Sequence, residues 1–450
     1  MPPNRPLAYG RGHWFEPRRT ILRHDRGLAA RPRARYKLKE EGIHGPFHFR
    51  GRAGGLHKLA AMFIVVLSAV LALMNVYLWK RLVKDTTRPG RARRVLTAVL
   101  IALALLLVAT LVVPRFFDVP KTGWYAWPGY LWFGLLAYLF LTLLVLEPLR
   151  LALRRWIRGQ PKEVSATADI EPPALNRRMF IARTGAVAAG AASVSLVGIG
   201  AATALGPPDL LAVPVRLRRL DPALRGFRIA VVSDIHLGPL AGRAHTEQIV
   251  NTINAAEPDL VAIVGDLVDG TVEELGAAAE PLRDLAAPEG TFFVTGNHEY
   301  FVDDTAAWLT ELERLGVQPL RNENTAIRRG GAAFDLVGVN DIAGEQRGDP
   351  PDFDRALAGV NLSRPTILLA HQPVLVSESA ARGVDLQLSG HTHGGQMWPF
   401  HYVVRMVQPS IAGLSTVDDT QLYVTRGAGF WGPPVRIGAP PDVTVLSLEP

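Results

Sequence analysis

The chain of 450 residues contains no cysteine. That absence removes disulfides, thiolate zinc sites, iron–sulfur clusters and cysteine nucleophiles together, and it leaves the chain compatible with an oxidising compartment. Lysine is missing from the whole second half, where none follows Lys162. Residues 1–205 carry 31 Lys+Arg against 10 Asp+Glu (+21), whereas residues 206–450 carry 18 against 31 (−13). The net charge of +8 is therefore the sum of two opposed halves. No nucleic-acid partner is expected for the second half, because tracking phosphates needs a net basic footprint. The prolines and glycines are dispersed along the chain, which excludes collagen-like and low-complexity classes.

Long apolar runs are present, all in the first half. Residues 59–79, 95–113 and 127–146 are uncharged, the last entered through Trp124, Tyr125, Trp127 and Tyr130. Each is long enough to cross a hydrocarbon core of ~30 Å, and the aromatic cluster suits the headgroup boundary. A fourth run, 184–205, is rich in Ala and Gly and only mildly apolar. Before it stand Asn176, Arg177, Arg178, Met179, Phe180 and Ile181, a stretch that resembles a twin-arginine export signal. Asn176 and Ala182 depart from that signal's usual residues, and Ala202-Thr203-Ala204 supplies an A-x-A cleavage pattern. Residues 59–205 are thus expected to form a membrane region of about four helices, with the lipid bilayer as partner. Residues 1–58 read as a basic, disordered tail and 206–224 as a linker.

Positive charge suggests the sidedness. The 80–94 loop carries seven Lys/Arg and 147–183 eight, against two in 114–126. That bias puts the first two inside the cell, so the domain after the fourth span faces outside a multi-pass cell-membrane protein. The fourteen Lys/Arg of residues 1–58 would then also lie outside, a conflict that a start at Met62 would remove. The spans offer Asn75 and a few hydroxyls but no charges of the kind that line a substrate path, so a transporter is not expected.

The second half has another texture. Short β-branched runs at 227–233, 260–264, 291–295, 334–339, 367–370, 386–389, 422–425 and 443–448 read as strands. Helical patterns at 244–256, 273–286, 303–315 and 374–382 fall between several of them. The expected class is α/β, with sheets covered by helices, over residues 225–450.

Polar residues collect just past the strand ends. They are Asp234 and His236, then Asp266 and Asp269, then Asn297 and His298, then His371, and finally His391 and His393. In open α/β sheets such loops converge at the carboxyl ends of the strands. Imidazoles, carboxylates and an amide oxygen are donors for Zn, Mn or Fe rather than for Ca or Mg alone. The Asp-x-His and His-x-His spacings point both side chains to one face if the segments are extended. Gly265, Gly296 and Gly390 are expected to let the backbone turn sharply ahead of the ligands.

This set, in this order, resembles the calcineurin-like metallophosphoesterase superfamily over roughly residues 225–450. The run from Gly390 to Gln396 and the tail Arg426-Gly-Ala-Gly with Trp431-Gly-Pro-Pro-Val-Arg436 are similar to its membrane-associated bacterial branch. The resemblance implies a β-sandwich flanked by helices and two divalent metal ions. Asp234, His236, Asp266 and His393 would hold one, and Asp266, Asn297, His371 and His391 the other, with Asp266 bridging. His298 would donate a proton to the leaving oxygen, oriented by Asp269, while a metal-activated hydroxide attacks phosphorus. Gly270 stands where the family's protein phosphatases carry arginine, which argues against a phosphoprotein substrate. Arg426 and Arg436 are candidates for gripping the phosphate. Trp398, Phe400, Phe430 and Trp431 are candidates for an apolar rim.

The expected function is metal-dependent hydrolysis of a phosphodiester or pyrophosphate in the cell envelope, with a lipid-linked phosphoester as candidate substrate. A broad phosphomonoesterase is the alternative among enzymes, and a non-catalytic membrane sensor or scaffold the alternative of another class. His298 argues against the latter, since a pure binder needs no leaving-group acid.

Overall fold

Residues 66, 68–116, 123–153 and 177–450 are described by the structure, a computed structural model. The tail 1–58 and the start of the first expected span lie outside the described residues. Residues 68–78 are helical (α1) and run into a π-helical turn, Trp79–Lys84. Three helices long and apolar enough to cross a membrane follow: α2 (Arg91–Phe116), α3 (Gly123–Ala152) and α4 (Arg177–Leu205). Their Leu-, Val- and Ala-rich runs are helical, the conformation that satisfies backbone groups within the segment in a hydrocarbon environment. Leu78, Leu107, Trp132, Leu136 and Leu143 pack together between them.

One end of this bundle is tied by charge. Arg81 pairs with Asp85 (2.9 Å) and Glu147 (2.7 Å), and Arg178 lies 3.4 Å from the same Asp85. The start of α4 is therefore at the Arg-rich end, and Leu205 leaves at the other.

The second half is a sandwich of two six-stranded sheets. The first runs β1-β12-β2-β3-β4-β5, with β5 the short strand Val317–Pro319, and the second β10-β11-β9-β8-β7-β6. Central strands β2 (Arg228–Val232), β3 (Leu260–Val264) and β4 (Thr291–Val294) are parallel, as are β7 (Ala332–Gly338), β8 (Thr366–Leu369), β9 (Leu386–Ser389) and β11 (Thr420–Val424). Alternation along each strand sends one set of side chains between the sheets, such as Ile229, Val231, Ala262, Phe334, Leu369 and Leu388. The opposite set, including Val232, Ile263 and Phe293, packs under helices α5 (Arg243–Ala255) and α8 (Thr305–Arg314). Full burial of each Val, Ile, Leu or Phe contributes ~1.5–3 kcal/mol. Two short helices complete this face, α6 (Val272–Ala279) and α7 (Asn297–Phe301).

The stretch expected as a linker is part of the sheet. β1 (Asp209–Arg216) pairs in parallel with β12 (Asp442–Glu449) over its whole length. Its edge position and Pro214 hid it from strand periodicity. Edge strands β6 (Glu323–Arg329) and β10 (Gly413–Val417) are half-exposed and polar, and were missed for the same reason. The sheet domain also grips the helices. Arg436 N donates to Gly200 O (2.9 Å) and the Tyr138 hydroxyl to Trp398 O (2.9 Å). A Cβ on Gly200 would sit 2.6 Å from a Val435 methyl, so the loop lies against the α4 backbone itself. The A-x-A stretch is inside α4, with Ala204 buried against Ala241 and Phe430.

Candidate metal centre

The strand-end loops bring Asp234, His236, Asp266, His371, His391 and His393 together, with Asn297 beside Asp266, whose Oδ1 accepts from the next N–H, that of His298. His393 Nε2 lies 3.2 Å from Asp234 Oδ1 and 3.1 Å from His236 Nε2, so Asp234, His236 and His393 form one nest. Asp266, His371 and His391 form another, with His371 Nε2 3.2 Å from Asp266 Oδ2. The same Asp266 oxygen is 3.7 Å from His236 Nε2, which places this carboxylate between the two nests. Asp234, Asp266, His236 and His371 are all buried.

The backbone that does this is not extended. Asp234, His236, Asp266, His391 and His393 have φ between 50° and 69°, the left-handed region that non-glycine residues rarely enter. Each such residue costs on the order of 1–3 kcal/mol. The cost is offset by loop-to-loop hydrogen bonds, such as Asp234 N to Gly265 O (3.1 Å), His236 N to Asp266 O (3.2 Å) and Gly429 N to Asp234 O (2.9 Å). The Asp-x-His and His-x-His segments are thus not extended, and their side chains converge through left-handed turns instead. Two of the glycines also act otherwise than expected. Gly265 does use a positive φ (86°), but Gly296 and Gly390 are needed for space. A Cβ on Gly296 would lie 2.2 Å from Asp266 Oδ1, and one on Gly390 2.4 Å from Asp234 Oδ2.

The buried polar atoms without a hydrogen-bond partner include Asn297 Oδ1 and His371 Nε2 of the candidate set. An orphaned buried acceptor is costly unless a cation or water completes it. The other His371 nitrogen contacts Val264 O at 2.7 Å, and His236 Nδ1 contacts Asp269 Oδ1 at 3.0 Å. Each contact ties up Nδ1 and turns Nε2 inward, the arrangement of a metal-ligating histidine. Burial pushes His391 down to about 3, helped by the His371 charge, so it is a neutral ligand at physiological pH. Burial raises the Asp234 carboxyl, whereas for Asp266 burial is outweighed by His371 and His298, which hold it well below the usual range. Imidazoles, buried carboxylates and an orphaned amide oxygen fit divalent metal ions.

His298 is beside the nests. Its Nδ1 lies 2.6 Å from Asp269 Oδ1, the same oxygen that His236 uses. Burial disfavours the imidazolium, but Asp266 and Asp269 override it and lift His298 to about 9. Glu299 was not singled out in the sequence. It is buried, and its carboxylate accepts from the N–H groups of Asp266 (3.0 Å), Leu267 (2.8 Å), Val268 (3.3 Å) and Gly296 (2.6 Å), tying two ligand turns together. The signal was its place directly after Asn297-His298 in a capping position.

The arginines expected to grip phosphate are turned to other work. Arg436 is 1% exposed and donates to the carbonyls of Gly429, His393, Ala439 and Gly427, with Nη2 3.2 Å from His393 Nδ1. Arg426 donates to Asp442 Oδ2 at 2.6 Å, at the start of β12. Neither faces the cavity. Of the expected rim, Trp398, Phe400 and Trp431 are exposed, whereas Phe430 is buried and lines the cavity beside His298. A cavity of about 280 Å³ opens beside His236, Asp269 and His298.

The sequence profile of the calcineurin-like phosphoesterase family matches residues 227–395. A zebrafish (Danio rerio) protein named transmembrane protein with metallophosphoesterase domain is 31% identical over 400 residues, 86% of this chain and 89% of its own length. Its bovine (Bos taurus) namesake is 40% identical over 263 residues, 56% of this chain and 59% of its own. An uncharacterized metallophosphoesterase of Helicobacter pylori is 40% identical over 249 residues, covering 55% of this chain and 65% of the relative. The likeness thus extends to vertebrate and bacterial proteins, so the bacterial branch is not singled out. The match to the zebrafish protein runs through both the apolar helices and the sandwich, and this chain belongs to the calcineurin-like metallophosphoesterases, metal-dependent hydrolases of phosphoesters.

Proposed function

We propose that the protein is a binuclear phosphodiesterase or pyrophosphatase that acts on a lipid-linked phosphoester at the outer face of the cell membrane. One observation carries the reading: Asp266 stands between two ligand nests, with the His298–Asp269 pair beside them. Asp234, His236, Asp266 and His393 would hold one ion, and Asp266, Asn297, His371 and His391 the second. The donor set suits Mn, Zn or Fe. When bound, two such ions supply charge neutralisation at phosphorus and a strong oxygen nucleophile at neutral pH. Asp269 holds Nδ1 of His298, leaving Nε2 to carry the proton for the leaving oxygen. The raised His298 keeps that proton at neutral pH, as a general acid must.

The membrane side of the reading rests on the helices. The Arg-rich end of the bundle fits the cytoplasmic side, and the sandwich leaves from the opposite end. Export by the Arg177-Arg178 signal agrees with that sidedness. Exposed Trp398, Phe400, Tyr402, Val403, Met406 and Val407 lie next to the contact with Tyr138 and suit a lipid interface. The test uses the full chain in detergent, stripped of metal and refilled with Mn or Zn, on bis-p-nitrophenyl phosphate and p-nitrophenyl phosphate. Metal-restored cleavage favouring the diester is expected. Preference for the monoester would make it a broad phosphomonoesterase, and silence with metal bound would make it a sensor or scaffold.

A further inference from the structure

The cavity at the metal centre is walled on one side by the membrane helices. Thr110 and Leu111 of α2 and Tyr125, Ala126 and Tyr130 of α3 line it, facing Phe301 and Trp431 of the sandwich. Both of those aromatics contact His298, with ring centroids at 5.2 Å for Phe301 and 6.0 Å for Trp431. Trp431 is fixed from behind, its N–H donating to Gln396 Oε1 (3.0 Å) and its carbonyl accepting from Gln396 Nε2 (2.9 Å). Where α2 meets α3, a Cβ on Gly129 would fall 1.8 Å from Thr110 Oγ1, so glycine lets the helices close against each other at the cavity floor. On the outer surface of the same stretch of α2, Leu105, Val108 and Val112 are exposed, as a lipid-facing side would be. A continuous path therefore joins the hydrocarbon-facing helices to His298. Apart from His236, Asp269 and His298, the described lining is apolar, aromatic or hydroxylic.

From this continuity we propose that α2 and α3 form the substrate wall: the alkyl or acyl chain of the phosphoester lies between Leu111, Ala126 and Tyr130 on one side and Phe301 and Trp431 on the other. The helices are then a specificity element as well as an anchor. This rests on the phosphoesterase reading above. It selects substrates by their tails, since each methylene buried is worth about a factor of four in binding.

The test compares dodecyl p-nitrophenyl phosphate with methyl p-nitrophenyl phosphate, two diesters that differ only in the tail. Water adds to phosphorus, the P–O bond to the aryl group breaks, and nitrophenol leaves with an alkyl phosphate as the other product. With the metal-loaded full chain in nanodiscs, kcat/KM for the dodecyl ester is expected to exceed that for the methyl ester by at least about tenfold, the worth of about two methylenes. Leu111→Trp, which fills the cavity, and Tyr130→Ala, which removes a wall, should each bring that ratio down about tenfold. Metal content and thermal unfolding are measured on both to show that they fold. A wild-type ratio near one, or a ratio unmoved by both variants, overturns the proposal. If wild type cleaves neither ester, the phosphoesterase reading has failed, and labelling decides the wall separately. A phosphatidylglycerol carrying a diazirine in its tail should then label the peptide holding Phe301 and Val302 in wild type and not in Leu111→Trp. Absent or equal labelling would overturn it.

Discussion

Glu299→Gln tests whether one buried carboxylate holds the ligand turns in place. In the folded chain the two oxygens share four N–H donors: Oε2 takes Asp266 and Gly296, and Oε1 takes Leu267 and Val268. Glutamine has nearly the same shape, but one of its ends is an NH₂ group. Whichever way it turns, two buried N–H groups face a donor. Each lost acceptor costs about 1–3 kcal/mol, so about 2–6 kcal/mol in all. In a domain of this size each kcal/mol lowers Tm by roughly 2–4 °C, which predicts a drop on the order of 10 °C. The turns involved carry Asp266 and, next to Gly296, Asn297, so metal affinity should weaken by about 10–100-fold, as when other supporting residues of metal sites are lost. Thermal unfolding with and without metal, and chelator competition for Mn or Zn, read the two effects. A variant that melts within about 2 °C of wild type and binds metal within about twofold would refute the clamp.

Asp266→Asn removes the charge both nests share; metal content by mass spectrometry and turnover should fall together, and full metal occupancy would contradict a bridging position. His298→Ala should retain metal and lose about 10²–10⁴-fold in rate, with the larger losses on alkyl leaving groups. A full rate on a poor leaving group would remove the acid assignment. The stability of the sandwich should fall in acid through His245, which burial, with Arg436 nearby, holds down at about 4. Because the folded group is harder to protonate than the unfolded one, its contribution is complete above about pH 6.5 and is lost as pH falls toward 4, by up to about 3 kcal/mol. Denaturant unfolding at pH 7 and pH 5 measures it, and His245→Leu should flatten the difference. An unchanged slope in that variant would assign the acid sensitivity to other groups.

Much of the architecture was legible because its signals are local. The central strands are short apolar runs buried on both faces, and α2 and α3 each contain an uncharged apolar run of spanning length, so composition alone marks them. β1, β6 and β10 are edge strands whose one partner strand supplies the stabilisation, and nothing in their own residues announces that partner. The candidate site divides the same way. Donor type and position after a strand identify Asp234, His236, Asp266, Asn297, His371, His391 and His393 as candidates in the sequence. How they converge is not written locally, because left-handed φ at five of them is stabilised by hydrogen bonds between loops far apart in the chain.

Arg436 makes the same point from the other direction. An arginine near a phosphate site reads as a phosphate ligand, yet its donors go to four carbonyls of the surrounding loops, which only the folded chain assembles. What the sequence determined by itself was the chemistry: which donors exist, that apolar strands precede them, and that spans long enough for a membrane come first. The tertiary structure decided the rest: the place of Asp266 between the nests, the clamp by Glu299, the burial of Arg436, and the cavity between α2, α3 and His298. The physical reason is range. Hydrophobic periodicity and donor identity belong to neighbouring residues, whereas burial, pairing and enclosed volume belong to segments that meet only after the chain has folded.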